Sequence, residues 1–463
     1  HARIEQVLNE RNWGLGDSQT TLYGSVQTWQ TLKDLDPKND PTLSHIDTPY
    51  RRTPQLGVRS RSGSDTGLVW RLQGEFNRFT NEDTSKVAGN RMHATGRLER
   101  PFDLGGVILT PAVSAQSTHY DLDNALSNGS RSASRTIPTF SLDATMTLER
   151  PVNMFGRDMI QTLEPRIQYV RTPYRDQSIL PLFDSAARDF NQYAIFSENA
   201  FTGADRVSDA NQITVGATSR LLDPRTGGEA LRLGVVQKVL LSDQRLNPNG
   251  EGPITQRLSD LLLLGSTSVI PYWYLDSTLQ FQSQNRQMEH ATASVRYSPG
   301  AWRTISATYR YNRESSEQMD LAWQWPLAGR TPSLQKMMAQ ASAPELNATG
   351  LHPAGAGQCG GTWYSVGRVS YSMRESRLIS TLAGIEYDAG CWIGRFVIER
   401  VAIGQTKATS RLMFQLELVG LSRLALGTNP LRTLRDNIPG YQLLRNESLP
   451  TTANRPTPFT EDD

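Results

Sequence analysis

At 463 residues the chain has room for several ordinary domains or one very large one, and its two cysteines are too few for a disulfide scaffold or a zinc cluster. Lysine plus arginine (48) nearly balance aspartate plus glutamate (46), and the basic residues are spread rather than clustered, so a nucleic-acid partner is not indicated. The mean hydropathy is −0.47 and no window approaches ~18 consecutive apolar residues, which excludes helical membrane spans. The opening "HARIEQVLNE" has neither an initiator methionine nor a signal-peptide core, so a mature or trimmed fragment is expected.

Along the chain the dominant signal is period-two alternation. Leu68, Trp70, Leu72, Gly74 and Phe76 alternate with polar neighbours, and Phe140, Leu142, Ala144, Met146 and Leu148 do the same. Around Ile167 and Tyr169 a strand begins that must stop near Thr172, because Pro173 cannot donate to a ladder. About forty residues follow before the next plausible strand at Gln212 to Arg220, too long for an ordinary connection and suited to a structured loop. Alternation resumes at Trp273–Phe281, Ile305–Tyr311 and Met319–Trp325. A stretch rich in Ala, Pro and Gly, residues 331–360, then interrupts, with "SLQKMMAQ" as the best helix candidate. Trp363 to Met373 and Leu378 to Tyr387 form a hairpin through Arg374 to Arg377, and Leu412, Phe414, Leu416 and Leu418 mark a strand near the end. After it, Gly427, Asn429, Pro430 and Pro439 curtail pairing.

These runs last about ten residues, longer than the ~5–6 of globular strands and matched to the ~9–11 that a tilted strand needs to cross a bilayer. Tryptophans 70, 273, 302, 325, 363 and 392 sit near strand ends, where an interfacial girdle would place them. The fold class expected is therefore all-β, a large antiparallel transmembrane β-barrel over residues 1–445 with a tail at 446–463. A soluble propeller or sandwich stack also alternates, but no blade-like repeat is present, and a water-filled interior explains a charged face better than a second packed sheet does. Six scattered histidines form no nucleophile or metal motif, and no Gly-rich phosphate cradle occurs, so no catalytic, cofactor or metal residue is expected. A passive porin or nutrient receptor is the alternative function, because barrel patterning alone does not distinguish cargo. A barrel hydrolase of the outer membrane is less favoured, since such an enzyme would be smaller.

The long-loop region narrows the choice. Leu163-Glu164-Pro165, Pro173-Tyr174-Arg175-Asp176-Gln177, Phe183-Asp184-Ser185, Gly203 to Arg206 and Ala210-Asn211-Gln212 together resemble the C-terminal barrel of the LptD family, which assembles lipopolysaccharide (LPS) in the Gram-negative outer membrane. "GLSRLALGTNPLRTLRDNIPGY" and "GIEYDAGCW" are similar to the end of that family and to its cysteine-bearing turn. The resemblance implies a barrel of about 26 strands, with the preceding jelly-roll domain and the first few strands expected to lie outside this sequence. It also implies LPS as cargo, an LptE-type lipoprotein partly filling the barrel, a periplasmic Lpt bridge reached through the N-terminal domain, and release into the lipid of the outer leaflet through a seam between first and last strands.

On that reading the loop at 173–210 is extracellular and the insertion at 331–360 periplasmic. Loop residues Pro173, Arg175, Asp176, Asp184, Asp205 and Arg206, with Arg188 and Asp189, are expected to build a plug held by internal salt bridges; transient contact with LPS phosphates is the alternative role for the arginines. Leu412, Phe414, Leu416 and Leu418 are the expected seam strand. Cys359 and Cys391 are disulfide candidates at the periplasmic rim, bonded to each other or, as the family pattern implies, to cysteines of the N-terminal domain. The family often has two adjacent cysteines where this chain has Gly390 and Cys391, so its usual pair of disulfides does not carry over whole.

Overall fold

A computed structural model of the chain describes residues 2–12, 16–29, 48–62, 67–83, 85–188, 191–192, 194–248, 250, 252–313, 315–328, 361–403, 407–418, 422–426 and 428–444. The helix candidate "SLQKMMAQ", all of the 331–360 insertion with Cys359, the tail 446–463 and Asp189 lie outside the described residues. Two compact units emerge from the pattern of contacts, His1–Leu264 with Gln280–Gln287, and Gly265–Leu279 with Met288–Asp463.

In the first unit the strands are β1 (Ala2–Asn12), β2 (Gly16–Gln27), β3 (Arg51–Ser62), β4 (Val69–Thr80), β5 (Gly89–Glu99), β6 (Phe102–Asp103), β7 (Val107–Leu122), β8 (Ser132–Met146), β9 (Leu148–Met154), β10 (Arg157–Thr172), β11 (Ala210–Leu222) and β12 (Glu229–Leu240). β13 (Leu261–Thr267) begins in this unit, and β14 (Trp273–Phe281) ends in it. Consecutive long strands pair antiparallel from β1 to β12, β10 with β11 across the long loop included. β8 and β9 divide one edge of β10 between them: Phe140–Thr145 pairs with its upper half and Leu148–Met154 with its lower half. The alternating run through Leu148 is thus broken at Thr147 rather than continuous. Phe155 and Gly156, both at positive φ (54° and 70°), make the two-residue hairpin turn into β10.

The second unit contains β15 (Met288–Gly300), β16 (Arg303–Asn312), β17 (Ser316–Ala328), β18 (Thr362–Ser372), β19 (Arg377–Asp388), β20 (Trp392–Ile403), β21 (Lys407–Leu418), β22 (Ser422–Leu426) and one helix, α1 (Pro430–Asn437). From β15 to β22 each strand pairs antiparallel with the next. The fold is therefore all-β and antiparallel, as the alternation implies, with helix confined to α1 and a single 3-10 turn among the described residues.

In both units the usual polarity of a globular protein is reversed. Leu56, Val58, Leu72, Val113, Phe140, Ile167, Val215 and Leu233 of the first unit are exposed, while Asn77, Arg91, Arg135, Gln168 and Thr214 on the opposite faces are buried. Ile305, Leu321, Ile385, Phe396, Leu412 and Phe414 are exposed in the second, against buried Thr304, Asp320, Gln324, Glu386, Arg395 and Gln415. Water would penalise so many contiguous apolar side chains, whereas lipid does not, so the exposed faces have the composition of membrane-facing strands. No helix among the described residues is long and apolar enough to cross a membrane.

Candidate functional site

The described residues of the 173–209 loop fold back over the inner face of the first unit. Beyond one isolated bridge between Ala187 and Phe201, prolines, Asx turns and side-chain caps stand in for ladder bonds here: the Asp176 carboxylate accepts from the Ser178 N–H at 2.9 Å, and Asn199 Oδ1 accepts from the Ser208 N–H at 2.9 Å. Gln177 is fully buried, donating to the Val207 carbonyl at 2.8 Å and accepting from its N–H at 3.1 Å, so the outgoing and returning arms of the loop are tied together.

The loop is fastened to the sheet by two aspartates. Asp184 binds both guanidinium nitrogens of Arg91 on β5, at 2.6 and 2.7 Å, and receives Arg52 of β3 at 3.2 Å. Asp205 accepts on Oδ1 from Arg91 at 2.8 Å and from the Tyr120 hydroxyl of β7 at 2.9 Å, and on Oδ2 from the N–H groups of Phe183 and Asp184. Arg135 of β8 donates to the Asp205 carbonyl at 2.6 Å and also to that of Ala204. Side chains from β3, β5 and β7 converge on one pair of carboxylates, and one from β8 holds the backbone beside them. Burial alone would raise the Asp184 carboxyl, but Arg91 and Arg52 reverse this and hold it well below the usual carboxylate range. Burial pushes Asp205 up; Arg91 opposes that shift, while the neighbouring Asp184 charge adds to it.

Aromatic packing completes the attachment. Phe183 stacks on Phe79 of β4 with centroids 4.4 Å apart and rings 7° from parallel, and Tyr50 meets both edge-on. Further along, Ile195 packs on Val236 and Leu262, Arg166 of β10 lies 4.2 Å over the Phe196 ring, and Glu198 pairs with Arg97 at 2.7 Å. Gly203 has φ of 68°, and a Cβ there would stand 2.5 Å from the Asp184 carbonyl oxygen. Gly203→Ala is therefore expected to loosen the loop by about 1–3 kcal/mol, read as faster proteolysis within 173–209.

Among the loop residues singled out from sequence, Asp184 and Asp205 come together, but on wall arginines instead of loop arginines. Arg206 donates to the backbone carbonyls of Leu180 (2.9 Å) and Pro181 (3.3 Å), and Arg188 to that of Phe201 (3.1 Å). The expectation that the two aspartates find their partners within the loop is thus corrected: strand side chains reach them first. Arg175 and Asp176 are exposed, and Pro173 is half-buried where the chain leaves β10. Arg91, Arg52, Arg135 and Tyr120 were not singled out from sequence. Their visible signal is a cation or phenol on the inner register of a strand.

On the inner face of the second unit the C-terminal segment plays a comparable part. Asn429 caps α1 by accepting from Leu431 N–H, and Pro430 occupies the first turn. Leu434 and Ile438 pack against Ala322, Val366, Leu382, Val397 and Met413 from five strands. Beyond the helix, the Tyr441 hydroxyl donates to Glu386 at 2.7 Å; Arg395 donates to the same carboxylate at 2.8 Å and to Glu417 at 2.7 Å. Gln442 exchanges two bonds with Gln324, both 2.9 Å, and Trp302 Nε1 donates to the Leu443 carbonyl at 3.0 Å. Of the residues read as curtailing strand pairing, Asn429 and Pro430 start a helix and Pro439 lies just past its end.

β21 carries Leu412, Phe414, Leu416 and Leu418, with Leu412, Phe414 and Leu418 exposed. It is not the final strand, because β22 pairs with its Phe414–Leu418 half. Cys391 is exposed in the turn between β19 and β20, with no disulfide partner among the described residues.

A family model described as LPS transport system D (LptD) matches residues 7–331. Similar proteins include an LPS-assembly protein LptD of a Polaromonas species, 44% identical over 443 residues that cover 94% of this chain and 50% of that protein. Another, from Albidiferax ferrireducens, is 42% identical over 453 residues, covering 96% and 54% respectively. The chain thus spans about half the length of the curated relatives it matches.

Proposed function

This chain belongs to the LptD family, LPS transport system D, and from that membership we propose that it is the outer-membrane segment of an LPS translocator. The observation that carries the reading is the reversed polarity of both units, apolar outside and charged inside, with a folded segment laid over each inner face. Such a wall spans a bilayer as strands of a β-barrel in the Gram-negative outer membrane. An amphiphile of this size needs a polar route for sugars and phosphates and an exit into lipid for acyl chains. The buried Arg, Asp, Gln and Thr faces suit the first need, and no bond of the cargo is made or broken.

The exit requires a strand edge that parts at low cost, since unpaired backbone facing lipid is unfavourable. β22 has five residues and engages only part of β21, whereas β20 and β21 pair over their full lengths. The seam is accordingly placed at β22. Photo-crosslinkers at Leu424 or Leu426, both exposed, are expected to capture LPS in cells, and crosslinkers at Leu275 are not; equal labelling would refute the placement.

An LptE-type lipoprotein and a periplasmic Lpt bridge complete the proposed assembly. Cys391 is assigned a disulfide with a cysteine of the N-terminal domain, with Cys359 as the alternative partner. Its turn lies at the same end of the second unit as Thr362, the strand start that follows the 331–360 insertion. Peptide mapping of the intact protein without reductant should recover Cys391 in a bridged peptide, and recovery as an alkylatable thiol removes the assignment. The function itself is tested by depleting a cell of its own LptD and supplying the full-length protein that contains this chain. LPS is expected to return to the outer leaflet, and a small-solute leak without LPS delivery would favour a porin.

A further inference from the structure

At the loop end of β10 to β12 the outward face carries a cationic cavity that the transport reading does not use. Its volume is about 660 Å³, and it is lined by Arg171, Tyr174, Asp209, Leu241, Arg245 and Arg257 among others. Arg171 is on the outer register of β10, between buried Val170 and Thr172, and pairs across the sheet with Phe140 and Asn211. Arg245 and Arg257 approach from the segment joining β12 to β13, and the Arg245 guanidinium lies 5.1 Å over the Tyr174 ring. Three cations from two separated parts of the chain thus meet at one opening.

Two acids are present, and both are engaged. Asp209 accepts the backbone N–H groups of Arg245 and Leu246 at 2.8 and 2.9 Å, and Asp243 stands 3.6 Å from Arg257. Among the described residues neither Arg171 nor Arg245 has a carboxylate partner. Directly beneath, the same face turns apolar: Ile167, Val215, Val235 and Leu233 are exposed, as is Leu241 in the cavity lining. Tyr169, one step inward from Arg171 on that face, packs near Phe140 and bonds Asn211. A cationic recess above an aromatic pair, above an aliphatic strip, is complementary to an amphiphile with an anionic head.

We propose that Arg171, Arg245 and Arg257 form a fixed site for the phosphorylated headgroup of a lipid in the surrounding leaflet, whose acyl chains lie along the apolar strip below. Guanidinium groups suit this ligand, because they bind phosphate oxygens in pairs. The assignment rests on the reading that these strands cross the membrane with residues 173–209 at the outer surface. The site lies on the outer face of the wall, away from Asp184 and Asp205, and so holds a neighbouring lipid, not cargo in passage.

The test is native mass spectrometry of the full chain released from detergent micelles. It is supplied in turn with a diphosphorylated glycolipid, the same glycolipid without phosphate, and inorganic phosphate alone. Retention of the phosphorylated lipid is expected, falling at least tenfold in the combined R171Q, R245Q and R257Q variant. R225Q, at a side chain 89% exposed in the turn at the opposite end of β11 and β12, should leave it unchanged. Equal retention of the dephosphorylated lipid, or full retention by the triple variant, overturns the proposal. Displacement of the lipid by equimolar inorganic phosphate identifies a free-anion site and also overturns it. In cells the triple variant is expected to deliver LPS normally; lost delivery would place the arginines on the cargo route. An unmodified chain that binds the lipid but delivers no LPS would refute the transport reading alone.

Discussion

Replacing Arg91 with methionine is expected to free the 173–209 loop from its sheet. Arg91 is 1% exposed and simultaneously contacts Asp184, Asp205 and, at 3.6 Å, Glu75. Without it, two adjacent carboxylates remain in a buried place with much of their compensating charge gone. Removing one partner of a buried ionic cluster costs about 3–5 kcal/mol, far more than the net worth of the pair, because the penalty is the stranded charge. Arg52 cannot substitute, since it reaches Asp184 at 3.2 Å and no bond from it to Asp205 is formed among the described residues. The expected results are rapid cleavage within the loop by added protease and increased entry of large antibiotics into cells. Asp205→Asn, which keeps an acceptor for the Phe183 and Asp184 amides, should fall well short of that effect. Unchanged proteolysis in Arg91→Met would show that the remaining contacts, Phe183 and Ile195 packing, Arg135 and the Arg97–Glu198 pair, hold the loop without it.

The second large effect is expected from Arg395→Met. Glu386 is completely buried, and its carboxylate depends on Arg395 and the Tyr441 hydroxyl. Loss of the guanidinium strands that charge at about 3–5 kcal/mol and should detach residues 429–444, visible as C-terminal trimming and a lower unfolding temperature. Tyr441→Phe removes a single hydrogen bond and leaves the ion pair in place, so about 1–3 kcal/mol is expected. Replacing Arg395 and Glu386 together by Met and Leu should recover most of the loss. If the double variant is as unstable as the single one, the destabilisation comes from packing and not from the unpaired carboxylate.

Strand positions were legible because alternation is a local property. The run from Leu68 to Asn77 corresponds to β4, Ile305 to Tyr311 lies within β16, and Leu378 to Tyr387 within β19. Pro173 set the end of β10 at Thr172, and the long loop followed from that stop. Sequence reasoning failed where partners lie far apart. Asp184 and Asp205 stood out as loop charges, yet Arg91 is 93 and 114 residues from them, and no local pattern links the three. β22 was not recognised from sequence, because five residues are too short a run for alternation to register. α1 was missed although Asn429 followed by Pro430 is a helix-start signal; both were read only as breakers of a sheet.

The reach of the loop also sets a folding order. Each hairpin of the first unit closes between neighbouring strands, at small entropic cost, whereas the loop's anchors span 132 residues for Arg52 with Asp184, 101 for Arg97 with Glu198 and 85 for Tyr120 with Asp205. Those contacts have nothing to bind until β3, β5 and β7 are already aligned. Hairpins should accordingly zip first and the loop dock last, so that its protection from protease is a clock for completed assembly of that wall.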